Sequence, residues 1–153
     1  MARQIVSVKV EGLRELETAL AELPKATGKN VLRRVLKKAG QPIADSGEAY
    51  APRLSGKLAQ SYTVSTKLTR RQRRASKKES PVEVYVGPTP HPKSVQTEFG
   101  NAHQAPEPHM RPAWDGNKER ALQIVKDDLG SEIQKAAERL AKKAARLAAK
   151  AQA

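Results

Sequence analysis

The chain has 153 residues, enough for one ordinary domain, and its 29 Lys and Arg against 16 Asp and Glu give a formal net charge of +13. It has no cysteine, which excludes disulfide scaffolds, thiolate metal sites and cysteine nucleophiles. With aromatic residues at 3%, the core must be aliphatic and thin, which favours assembly with copies or partners, and a surface of this sign attracts polyanions: nucleic acid first, then anionic membrane or an acidic protein surface.

The N-terminal MARQIVSVKVEG lacks the apolar run of a secretory signal, and no segment approaches ~18 consecutive apolar residues. A soluble protein made inside the cell, with no membrane partner, is therefore expected. Residues 4–10 (QIVSVKV) alternate as a short strand that Gly12 ends. Leu13, Leu16, Leu20 and Leu23 then recur at helical spacing until Pro24 and Gly28 interrupt. A second helix follows, with Val31, Leu32, Val35, Leu36 and Ala39 as its buried stripe and Arg33, Arg34, Lys37 and Lys38 on or beside the opposite face. Gly40 and Pro42 should kink or break it, and APRLSG at 51–56 should turn the chain.

Residues 58–68 (LAQSYTVSTKL) and 82–86 (VEVYV) read as two strands of an antiparallel hairpin. Between them Arg70, Arg71, Arg73, Arg74, Lys77 and Lys78 form a long, mobile, basic loop. Their chemistry suits phosphate, whose counterions Lys and Arg displace without base-specific geometry; a solvated charge run is the bland alternative. No aromatic residue lies among them and no helix-turn-helix or Cys/His finger spacing is present, so contact with DNA would be independent of sequence.

GPTPHP at 87–92 is a Pro-rich connection, followed by a short strand that ends at Glu98, Phe99 and Gly100, with the Phe99 ring buried and Gly100 free to adopt positive φ. Pro106, Pro108 and Pro112 restrict the next segment. Met110 and Trp114 are its apolar anchors, Arg111 a multidentate donor, and Asp115 the N-cap of a last helix running from Asn117 to the end. The stripe of that helix, from Leu122 through Val125, Leu129, Ile133 and Ala136 to Leu140, should pack on the sheet, while the Ala/Lys-rich end stays exposed. The organisation expected is one domain over 1–141, with 142–153 as an extension of the last helix.

His91, His103 and His109 are too irregularly spaced, among prolines, for a metal site, and read as polar loop residues, some of them packed at an interface. No nucleophile motif, Gly-rich phosphate loop or paired acidic cluster is present, so neither catalytic residues nor a cofactor is expected.

Two motifs in order carry a resemblance. APRLSGKLAQS at 51–61 fits A-P-x-x-[ST]-G-x-L-x-x-S, and TEFGN…APEPHMRPAWD at 97–115 fits E-[FY]-G-[TN]…P-x-[MF]-R-P-A. Together they resemble the siphophage tail-component family, over most of residues 8–135; the basic loop at 69–80 is expanded relative to that pattern and the tail beyond about 136 lies outside it. The resemblance implies an α+β subunit, a small antiparallel sheet flanked by helices, in a homo-oligomeric ring, commonly a hexamer, at the head–tail junction of the virion, made in the host bacterial cytoplasm. Adjacent neck and tail rings would be its partners, and packaged double-stranded DNA would pass through it. Glu98, Phe99, Gly100, Met110, Arg111, Pro112 and Trp114 would then clasp sheet to helix, or one subunit to the next. The alternative is a basic, sequence-independent DNA-binding architectural protein.

Overall fold

The computed structural model describes residues 13–151, so the strand expected over 4–10 lies outside the described residues. Two long helices form the frame. α1 (Leu13–Ala21) leads through Pro24 into α2 (Lys25–Tyr50), and α6 (Met110–Ala151) returns along α2 in the opposite sense. Between them come α3 (Lys57–Gln60), β1 (Tyr62–Ser65), α4 (Arg70–Ala75), β2 (Tyr85–Pro88) and α5 (Ser94–Phe99). The architecture is α+β.

The apolar stripes explain the frame. Val31 and Val35 of α2 meet Leu129, Ile133 and Ala136 of α6 in one cluster that also takes Leu23, with Leu16 and Leu20 of α1 packed against it. The stripe of α6 thus packs on helices α1 and α2 rather than on the sheet, because α2 lies between most of it and the strands. Lys38 pairs with Asp128 at 2.6 Å and Arg34 with Glu132 at 2.7 Å, one helical turn apart on both helices, which sets the antiparallel register. Some cations expected to face solvent therefore bridge the two helices.

α2 runs unbroken through Gly40 and Pro42, against the expected kink. Its small residues are what the sheet needs. A Cβ on Gly40 would sit 2.8 Å from Val86, and one on Gly47 2.2 Å from the Tyr62 ring, so the hairpin lies directly on the helix backbone. Burial of Ile43 and Ala44 at the same face outweighs the hydrogen bond that Pro42 cannot donate.

The expected hairpin is present and shorter. β1 pairs antiparallel with β2 from Tyr62 opposite Pro88 to Ser65 opposite Tyr85. Residues 58–60 belong to α3 instead of the strand, started by Gly56 at φ 70°, and Leu58 and Ala59 are buried with Ala51 in a second small cluster beneath Tyr62.

Candidate functional site

The two sequence motifs, far apart in the chain, meet at the start of α6. Tyr62, one residue beyond the first motif, is hydrogen-bonded through its hydroxyl to Nδ1 of His109 in the second, and the two rings stand edge to face with centroids 5.7 Å apart. His109 is 1% exposed, so it is a packed core residue and not a polar loop histidine; its Nε2 is buried without a hydrogen-bond partner among the described residues.

Glu98 organises this junction. It ends α5, a short helix where a strand was expected: Thr97 donates its backbone N–H and its hydroxyl to the Lys93 carbonyl, and Gly100, at φ 75°, closes the helix. The Glu98 carboxylate then accepts four N–H donors: backbone His109 (2.7 Å) and Met110 (2.8 Å) on Oε2, and backbone Arg111 (3.1 Å) and Arg111 Nε (3.0 Å) on Oε1. Those backbone groups are the orphan donors of the first turn of α6, at the positive end of its dipole. Burial alone would raise the Glu98 pKa, but the hydrogen bonds from Met110, His109 and Arg111 outweigh it and hold the carboxyl at about 2. Burial, and then the negative charge of Glu98, push the Tyr62 hydroxyl well above its usual value. With both oxygens engaged by N–H donors, Glu98 is an anion at neutral pH that caps a helix.

Of the residues expected in the clasp, the fold brings Glu98, Met110 and Arg111 together, and Arg111 Nη2 also donates to the Glu98 carbonyl at 3.0 Å. Gly100 is tightly enclosed: a Cβ there would meet Gln104 O and Pro106 N at 2.9 Å. Pro112 sits in the first turn of α6, where its missing N–H costs little. Three expectations are corrected. Phe99 is 64% exposed, with the Arg111 guanidinium 5.1 Å from its ring centroid. Trp114 is 51% exposed because α6 begins at Met110, which turns Ala113, at 0%, into the core position. Asp115 lies inside α6 and caps nothing. Trp114 instead lines an open groove of about 770 Å³ with Leu36, Val84, Leu122 and Val125.

At the far end of the hairpin, Arg70, Arg71, Arg73 and Arg74 lie on α4 with Lys77 and Lys78 just beyond, and all six are exposed. This tip carries a short helix where a loop without secondary structure was expected. Thr69 and Gln72 form a reciprocal capping box, in which Gln72 N–H donates to Thr69 Oγ1 at 3.3 Å and Thr69 N–H to Gln72 Oε1 at 3.0 Å. The returning arm is tied by Glu83, which accepts from Glu79 N at 2.6 Å, Ser80 N at 2.9 Å and the Tyr85 hydroxyl at 2.5 Å.

Sequence reasoning missed Tyr62, His109 and the Thr69–Gln72 box. The T-x-x-Q spacing at 69–72 was a readable signal for the last; nothing local announces the Tyr62–His109 contact. Among the described residues no group of three or more His, Cys, Asp or Glu side chains could hold a metal ion, and no helix is long and apolar enough to cross a membrane.

No curated protein and no solved structure matches the chain. The family model for bacteriophage HK97-gp10-like tail components matches residues 14–100, which take in α1, α2, the first motif, the hairpin and the Glu98–Gly100 turn. A match over more than half of the chain, on the segment that supplies α1, α2 and the capping carboxylate, makes this protein a member of the HK97-gp10-like family of phage tail components.

Proposed function

We propose that the protein is a structural component of the phage head–tail junction, a neck or tail-completion protein that forms a homo-oligomeric ring, hexameric in the family's manner, joining tail to head around the passing genome. Family membership supports the structural role and placement in the virion. The observation that carries the mechanism is the basic tip: six exposed cations, four on a capped helix and two just beyond it, at the end of a hairpin and clear of the core. In this reading the tip lines the lumen or its mouth and meets DNA through phosphates alone, accommodating the line of charge without gripping any sequence. The Glu98 cap and the Tyr62–His109 contact give each subunit one rigid shape for presentation to its neighbours, with Phe99, Arg111 and Trp114 on the outer side of the clasp.

Negative-stain microscopy of the purified protein separates this from a DNA-binding architectural protein. Closed rings without DNA, alone or on meeting tails, support the proposal; a protein that stays small until DNA is added overturns it. Replacing Arg70, Arg71, Arg73, Arg74, Lys77 and Lys78 by Ser should leave rings and head–tail joining intact and alter genome retention or ejection. Loss of joining in a folded subunit would make the tip a docking element against an acidic surface instead.

A further inference from the structure

The end of α6 is a surface with one sign of charge. After Glu138 the chain has no acidic residue, and Arg139, Lys142, Lys143, Arg146 and Lys150 are all exposed. At 3.6 residues per turn these five fall within about 100° of arc, a single stripe about 16 Å long. Beside it runs a shallow apolar seam: Leu140 packs against the main cluster, whereas Leu147, two turns on, is 58% exposed. Phosphate contact would use the cations and waste the seam; a helix of another protein uses both.

The same chain carries a complement. Between residues 14 and 22, Glu15, Glu17 and Glu22 are exposed against a single cation, Arg14, an acidic patch on a chain of net charge +13. None of the three forms a salt bridge among the described residues. Glu15 lies in α1 and Glu22 one residue past its end, where Glu22 N still donates to Thr18 O at 3.2 Å; seven residues apart, they share one flank about 10 Å from each other, the same interval that separates Lys143 from Lys150. Both pairs cannot form together within one chain, because Glu15 is out of reach of either lysine. Leu16 of α1 lies 3.5 Å from where a Cβ would stand on Gly130, while Lys143 and Lys150 are about 20 and 30 Å further along α6.

We infer that the end of α6, from Arg139 to Lys150, docks along the acidic flank of α1 in a second copy of this chain, pairing its basic stripe with Glu15 and Glu22 and laying Leu147 against the neighbour. The two patches differ, so the contact is heterologous, the kind that closes into a ring when its rotation allows. The inference rests on the ring proposed above and names the contact that builds it.

The test is a charge swap in the full chain, read as oligomer size by sedimentation and mass photometry, with circular dichroism as the folding control. All four positions are exposed, so folding should be unaffected. Lys143→Glu with Lys150→Glu should weaken association by roughly tenfold or more, as should Glu15→Lys with Glu22→Lys, and the two pairs combined should restore it. Oligomers indifferent to either pair, or no restoration in the combined variant, overturn the contact while leaving the ring standing. Loss of affinity for a DNA duplex with unchanged oligomers would likewise overturn it and assign the stripe to phosphate. A wild-type chain that never oligomerises, alone or with tails, overturns the ring and this contact together.

Discussion

Glu98→Gln isolates the capping charge with almost no change of shape. A carboxyl moved from 4.5 in the unfolded chain to about 2 in the fold contributes about 3 kcal/mol to stability at neutral pH. The Glu98 side chain is only 7% exposed, so solvent screening removes little of this. Gln keeps one acceptor oxygen but turns an NH2 toward N–H donors, so at pH 7 the variant should lose about 2–3 kcal/mol, a fall in Tm of roughly 6–10 °C for a chain of this size. The folded pKa is depressed, so the contribution is whole above pH 4.5 and is lost as pH falls through about 2. Thermal and urea denaturation of both proteins at pH 7, 5, 4 and 3 should therefore show a gap that is widest at pH 5–7 and narrows below 4.5. A gap that does not change with pH, or an unchanged Tm at pH 7, would refute the reasoning that a buried anion holds the start of α6.

Gly47→Ala drives a Cβ into the Tyr62 ring at 2.2 Å and should cost about 1–3 kcal/mol in urea denaturation, since a rigid ring backed by His109 cannot swing aside. Trp114→Ala, at a site 51% exposed, should cost only about 1 kcal/mol, well short of the ~3 to 5 of a core aromatic; a larger loss in Tm would mean that the ring is held in the core. Removing residues 142–153 should leave Tm and helical packing of the body unchanged, because the deleted turns are exposed where described, while oligomer size measured by sedimentation falls. An unfolded truncated chain would place that end in the core.

Where residues act through their neighbours in the chain, the sequence was legible. The stripe of α2 at Val31, Val35 and Ala39 is buried as its periodicity requires, the two strands pair as their alternation suggests, and Gly100 adopts the positive φ that ends α5. The errors lie where a distant group changed the local balance. Asp115 looked like a helix cap because caps are sought one turn upstream, yet the donors of α6 are satisfied by Glu98, from another element, so the helix begins at Met110 and every side chain after it is rotated. That rotation exposes Trp114 and buries Ala113.

Composition and periodicity by themselves determined the strand pair, the basic tip and the long last helix, and two short motifs pointed to the phage tail-component family and with it the α+β class. Only the tertiary structure decided that Gly40 and Gly47 receive a sheet instead of breaking a helix, that α6 packs on α1 and α2, and that Tyr62, Glu98 and His109 form one junction. The reason is physical: a backbone propensity is worth about 1 kcal/mol per residue for glycine and about 3 for proline, whereas burial of a facing aliphatic surface and a carboxylate shared among four donors outweigh both.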